Sequence, residues 1–287
     1  MTPHTRKSPR HDARLPFRIG TTSFIYRGSW LHNVERLKER VGDIEILFFE
    51  GDDISSLPSP EEMRAIGALR AEHGLTLSLH TPLNASLASA SDFERQLGVS
   101  RVLRAIEAAE PMAPDAYVVH VYLGDREGDD PPSDLSAWCD RAERSIYTLI
   151  AAGVPADRLC IEQLDYDLRL LEPVIRAFDL PVALDVGHLQ RDGRDLHGLL
   201  QHWLPRTKLI QWHGTDDSGR DHRGLDWFPE ADATRMLQAL VDAQYRGVLT
   251  LEVFREQDFE QSMQLLEQWC SRVRLAPRAH SESVSRG

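Results

Sequence analysis

Cysteine is scarce: Cys139, Cys160 and Cys270 are the only three in 287 residues. Their count is odd and their spacing matches no metal-binding pattern. This excludes a disulfide scaffold and points to a reducing compartment, so a cytoplasmic protein is expected. Long apolar runs are missing as well. None approaches the roughly 18 residues that a spanning helix requires, so no membrane partner is expected. Basic charge is in deficit, with 33 Lys and Arg against 45 Asp and Glu and a formal net charge of −12. A chain that grips a nucleic-acid backbone needs a basic face, so nucleic acid is not expected as a partner. The opening MTPHTRKSPRHDARLP has no apolar stretch of the secretory kind. It reads as a disordered arm over residues 1–16, and residues 276–287 read as a second loose tail. No internal repeat, linker or coiled-coil heptad interrupts residues 17–275, so one domain is expected and the oligomeric state stays open.

What is present is an alternation of short β-branched runs with longer amphipathic stretches. The spacing predicts eight strands, at Arg18–Ser23, Ile44–Glu50, Leu75–His80, Tyr117–Tyr122, Leu159–Gln163, Val182–Val186, Lys208–His213 and Val248–Phe254. Ser59-Pro60-Glu61-Glu62 and Ser91-Asp92-Phe93-Glu94 are helix-start signals, each with a capping serine and a glutamate three residues on. Gly74, Gly153 and Gly247 stand where helices should stop. Repeated βα units with buried strands imply a parallel sheet, and eight of them imply a single α/β (β/α)₈ barrel, with a doubly wound open sheet as the alternative.

In a barrel of this kind the reactive end is the mouth formed by the C-terminal ends of the strands. Strand three ends at His80 and strand four at His120. Strand five ends at Glu162, strand six supplies Asp185 and His188, strand seven ends at His213, and strand eight carries Glu252. The loop after strand seven adds Asp221 and His222. Carboxylates inside apolar strands need a partner or an ion, and three facing one mouth would repel one another. Divalent cations are the simplest compensation, and the imidazoles favour zinc, manganese or iron over calcium or magnesium. By contrast His32, His73, His197 and His202 fall away from the strand ends, and His4, His11 and His280 lie in the tails; all seven read as solvated surface. Tyr122 and Trp212 flank the mouth histidines, with packing favoured over stacking on a base. Asp226-Trp227 reads as the start of the last βα segment.

In this order Glu162, Asp185-x-x-His188, His213 and Glu252 resemble the metal core of the xylose isomerase-like TIM-barrel superfamily, which joins sugar isomerases and epimerases with endonuclease IV-type nucleases. The isomerase branch implies one metal held by Glu162, Asp185, His213 and Glu252, with the two glutamates also moving a proton beside a carbonyl. The nuclease branch implies three metals, with His80 and His120 in matching places. There the sequence departs: Asp221 and His222 are adjacent where that branch separates the pair by one residue. A narrower resemblance lies in Gly20-Thr21-Thr22-Ser23, LHNVERL, DIEILFFE, ISSLP, HTPLN and TDDSGRDH, which are similar to the cobamide-remodelling phosphodiesterases. It implies hydrolysis of the bond between the nucleotide-loop phosphate and the ribose of a cobamide, giving cobinamide phosphate and an α-riboside.

The resemblance implies two or three ions per chain. Glu162 would bridge two, His80 and His120 would complete one site, and Asp185, His213 and Glu252 the other; His188 and His222 would hold a third ion or the phosphate. Glu162, Glu252 and His188 are the expected catalytic residues. Arg220 and Arg223 are candidate phosphate clamps, with a solvated loop as the alternative. Thr21, Thr22, Glu50 and Asn84 are candidates for contact with substrate hydroxyls or amides, with capping and loop hydrogen bonds the alternative for Thr21 and Asn84. A sugar or polyol isomerase or epimerase with one divalent metal is the competing function.

Overall fold

The computed structural model describes residues 15–48 and 57–274. Glu50, the arm up to residue 14 and the tail from residue 275 lie outside the described residues; Leu15 already packs against the core. Eight parallel strands close into a barrel in chain order: β1 (Arg18–Thr22), β2 (Asp43–Leu47), β3 (Thr76–His80), β4 (Ala116–Val119), β5 (Leu159–Glu162), β6 (Val182–Asp185), β7 (Thr207–Trp212) and β8 (Val248–Leu251). Closure is made by β1 on β8, from Arg18 opposite Val248 to Thr21 opposite Leu251. The hydroxyls of Thr21 and Thr22 donate across this seam to the carbonyls of Leu251 (2.8 Å) and Val253 (2.7 Å). The eight expected strands are all present and the open-sheet alternative falls. Several end earlier than the apolar runs suggested: β2 at Leu47, β4 at Val119 and β8 at Leu251. Just beyond β4 and β8 stand His120 and Glu252, the Glu252 amide still donating to the Trp212 carbonyl at 3.0 Å.

Helices coat the barrel: α1 (Trp30–Leu37), α2 (Pro60–His73), α3 (Asp92–Ala109), α4 (Leu135–Ala151), α5 (Glu172–Ala177), α6 (Val186–Arg191), α7 (Leu196–Trp203), α8 (Glu230–Asp242) and α9 (Glu256–Arg272). Ser59 and Ser91 cap α2 and α3 by accepting from the amides of Glu62 and Glu94. Gly74 ends α2 in the left-handed region at φ 64°. Gly247 is a correction. The turn after α8 is made by Gln244 at φ 54°, and Gly247 is needed instead because a Cβ there would strike the Tyr245 hydroxyl and the Lys208 carbonyl. The histidines set apart as surface are corrected in part. His32 and His202 are exposed, but His73 and His197 are half-buried against Glu39 (2.8 Å) and Asp232 (3.1 Å), because helix packing closes over their apolar edges.

Side chains alternate along each strand, and this places the site. Outward residues such as Tyr117, Val119, Ile161 and Leu184 join the main core under the helices. Inward residues form a small separate cluster of Ala116, Val118, Cys160, Ala183, Leu209 and Val248. Two residues further along β4, β5 and β6 stand His120, Glu162 and Asp185, and four further along β7 and β8 stand His213 and Glu252. All five therefore face inward at the mouth.

The floor holds a buried carboxyl, Asp43, which accepts from Ser78 Oγ at 3.1 Å. Burial pushes it up to about 7 against hydrogen bonds from Thr76 and Ser78. Its folded pKa thus lies above the unfolded value, so the native state binds the extra proton and this group lowers stability progressively as pH rises from about 4 to about 7. Asp43→Asn is expected to raise stability at pH 8 by about 2 kcal/mol, an advantage that vanishes near pH 4. Denaturant unfolding at both pH values checks this; a gain equal at both refutes the assignment.

Candidate metal centre

Nδ1 of four mouth histidines lies against a carbonyl or hydroxyl oxygen. His80 Nδ1 lies 3.0 Å from the Thr81 carbonyl, His213 Nδ1 3.2 Å from that of Gly214, and His222 Nδ1 3.2 Å from that of Glu252. His120 Nδ1 meets the Tyr122 hydroxyl at 2.6 Å, which in turn donates to the Leu83 carbonyl at 3.0 Å. For His80 and His120 this leaves Nε2 turned to Glu162. Tyr122 is thus a positioning residue for His120. Trp212 packs between Phe228 and Trp269, with ring centroids 5.4 and 5.7 Å away.

The carboxylates meet these nitrogens. Glu162 Oε2 stands 2.7 Å from His120 Nε2 and 3.4 Å from His80 Nε2. Asp185 Oδ1 caps α6 through the His188 amide at 2.8 Å and lies 3.4 Å from His213 Nε2. Glu252 Oε2 is 3.7 Å from His222 Nδ1. Four sets of ligand atoms each fall within 4.8 Å: His80, His120 and Glu162; Glu162, Asp185 and His188; Asp185, His213 and Glu252; His188, His213 and His222. Glu162 thus belongs to two sets.

Asp185 Oδ2, His188 Nδ1, His213 Nε2 and Glu252 Oε2 are buried and make no hydrogen bond among the described residues, although Asp185 Oδ2 and His188 Nδ1 stand 3.1 Å apart. Buried orphans of this kind are costly, and four on neighbouring ligand sets are what a cation-binding site needs before its ion arrives. The protonation pattern agrees. Burial opposes charge throughout, yet the charges of His120 and His80 hold Glu162 well below the usual carboxylate range, and those of His188 and His213 do the same for Asp185. Against burial, Glu162 lifts His80 to about 9, and Asp185 lifts His188 to about 9. Burial and the neighbouring carboxylates Glu45, Asp185 and Glu162 push Glu252 far up. Protons stand where cations would.

Asp221 and His222 come together despite their adjacency. His222 sits in the left-handed region at φ 52°, and the kink brings its Nε2 to 3.9 Å from Asp221 Oδ1. An antiparallel bridge of Gly214 with Arg223 closes the loop, and the His222 amide reaches His213 Nδ1 at 3.1 Å. Arg220 is exposed and Arg223 half-buried; both pair with Asp216, at 3.4 and 3.1 Å. Asn84 is half-buried in the loop after β3, its carbonyl accepting from Arg101 at 2.5 Å. Thr22 is fully buried at the β1–β8 seam.

Sequence reasoning missed a second layer. Glu45 lies within the barrel, held at 3.3 Å by Gln211 Nε2, and burial pushes it up to about 8. It satisfies the test that flagged Glu162, a carboxylate within an apolar strand, and DIEILFFE shows it plainly. Arg191 was also missed, since only the fold brings it to Asp221.

Residues 41–269 match the family described as xylose isomerase-like TIM barrel. Among solved structures the chain resembles a D-tagatose 3-epimerase-like protein (TM-score 0.71, 17% identity, 89% of this chain and 97% of that one). It also resembles endonuclease IV from Thermus thermophilus (0.65, 18%, 88% and 99%) and the 3-keto-D-glucoside 4-epimerase of E. coli (0.65, 17%, 89% and 99%). At these identities the likeness is one of fold. Among curated proteins no relative matches.

Proposed function

The chain belongs to the xylose isomerase-like TIM barrel family, and from that premise we propose that it is a metal-dependent phosphodiesterase that cuts a cobamide between its nucleotide-loop phosphate and ribose. The observation that carries the hydrolytic half of this reading is the sharing of Glu162 by two adjacent ligand sets, one completed by His80 and His120. A one-metal isomerase has no use for that second set. The cobamide half rests on the similarity of GTTS, LHNVERL, DIEILFFE and TDDSGRDH to that family.

His80, His120 and Glu162 would hold one ion, and Glu162, Asp185, His213 and Glu252 a second; zinc, manganese or iron suits these donors. Such ions supply a lowered pKa for bound water and neutralisation of phosphate charge. Glu162 would keep the two sets in register, with Glu252 supplied from just beyond β8. His188 would face the phosphate beside Asp221, its Nε2 3.6 Å from Oδ2. For Arg220 and Arg223 to clamp phosphate oxygens, the anion must draw them from Asp216.

The test is incubation of metal-loaded protein with a complete cobamide, followed by mass analysis. Cobinamide phosphate and an α-riboside are expected. The intact cobamide recovered, with a ketose epimerised in a parallel reaction, would establish the competing reading, in which one ion is held around the Asp185, His213 and Glu252 set. Tight cobamide binding without product would mean a binding protein.

A further inference from the structure

We infer that the guanidinium of Arg191 takes the place of a third metal ion, so that this barrel is built for two. The inference shares with the proposed activity only the premise that ions bind at the mouth.

A third ion would need His188 and His222 together with a carboxylate. The nearest described carboxylate not already in a ligand set is Asp221, with Oδ2 3.6 Å from His188 Nε2 and Oδ1 3.9 Å from His222 Nε2. That same Oδ2 accepts from Arg191 Nη1 at 2.8 Å, a shorter contact than either imidazole makes. Arg191 stands three residues after His188 on α6, one turn along the same face. It is fixed there by two more carboxylates, Asp192 at 2.8 Å and Glu127 at 3.3 Å, and is only 21% exposed. None of the four ligand sets includes Asp221. The remaining set, His188, His213 and His222, has no carboxylate, and it borrows His213 from the Asp185 and Glu252 set.

Charge points the same way. A guanidinium does not give up its proton, so a dication sharing Asp221 Oδ2 would face a permanent positive charge. Asp221 Oδ2 is thus already paired with a positive charge before any ion arrives. Asp221 is turned to the guanidinium while His222 turns to the Glu252 carbonyl.

The experiment counts zinc per chain after loading and gel filtration, with folding checked by circular dichroism. The wild type is expected to hold about two ions. Arg191→Met frees Asp221 and should raise the count to about three, and adding Asp221→Asn to it should restore about two. Asp221→Asn alone should leave the wild-type count unchanged, which decides the matter should Arg191→Met fail to fold. A wild-type count of three, a folded Arg191→Met that gains no ion, or loss of one ion in Asp221→Asn overturns the role of Arg191. A wild-type count of one or none overturns the two-ion reading itself, whatever the outcome with cobamide.

Discussion

Glu162→Gln is expected to lower the proposed cobamide cleavage by on the order of a thousandfold and to cost the chain most of the metal it takes up on loading. Glutamine keeps the length and shape of the side chain, so the barrel should fold with little change. What it removes is the charge on an oxygen 2.7 Å from His120 and 3.4 Å from His80. In its place one position becomes an amide nitrogen, a donor without a lone pair to offer, facing ligands of one set or the other. Without ions the same change releases His80 from the partner that lifts it to about 9, so its titration should fall toward that of a free imidazole. Three measurements check this: turnover by mass analysis, metal per chain, and the His80 titration by NMR. Wild-type turnover with metal restored ends the bridging role for Glu162.

Gly187→Ala should disable the site without replacing any ligand residue. Gly187 lies between Asp185 and His188 at the start of α6, and a Cβ built there would sit 2.5 Å from Cδ2, Cε1 and Nε2 of His213. His213 is fully buried, so its ring has nowhere to go without dragging Gly214 and the loop bridged to Arg223. Overpacking of this kind costs about 1–3 kcal/mol. The larger effect is on geometry, since a displaced imidazole no longer shares an ion with Asp185 and Glu252. Metal affinity is expected to fall by about 100-fold, with activity following. Calorimetric titration with zinc and a thermal melt separate the two effects. A variant that binds zinc as the wild type does refutes the claim that this glycine exists to seat His213.

Much of this was legible in the sequence, for a physical reason. Parallel strands buried on both faces must be apolar, so eight such runs spaced by capped helices announce a closed barrel. Against that background a charged residue at the end of a run stands out, and His80, His120, Glu162, Asp185, His213 and Glu252 were all visible that way. Glu45 obeyed the same rule and was passed over because it lies mid-strand, one layer below the mouth. Arg191, Gly187 and Tyr122 were illegible for a different reason. Their meaning lies in contacts with Asp221, His213 and His120, and for Arg191 and Gly187 the partner is some thirty residues away, on the far side of β7. Tyr122 is close in sequence, but nothing in YVVHVY says that its hydroxyl turns back to an imidazole. The third metal position looked uncertain from residue spacing; the kink at His222 resolves the spacing, and the guanidinium beside Asp221 raises the new question.

The hydroxyls of Thr21 and Thr22 tie the first strand to the carbonyls of the last. Glu252, a member of the Asp185 and His213 set, lies just beyond that last strand. During synthesis, then, the set of Asp185, His213 and Glu252 is unfinished until the last strand has emerged. An ion at that set cannot template the early stages of assembly.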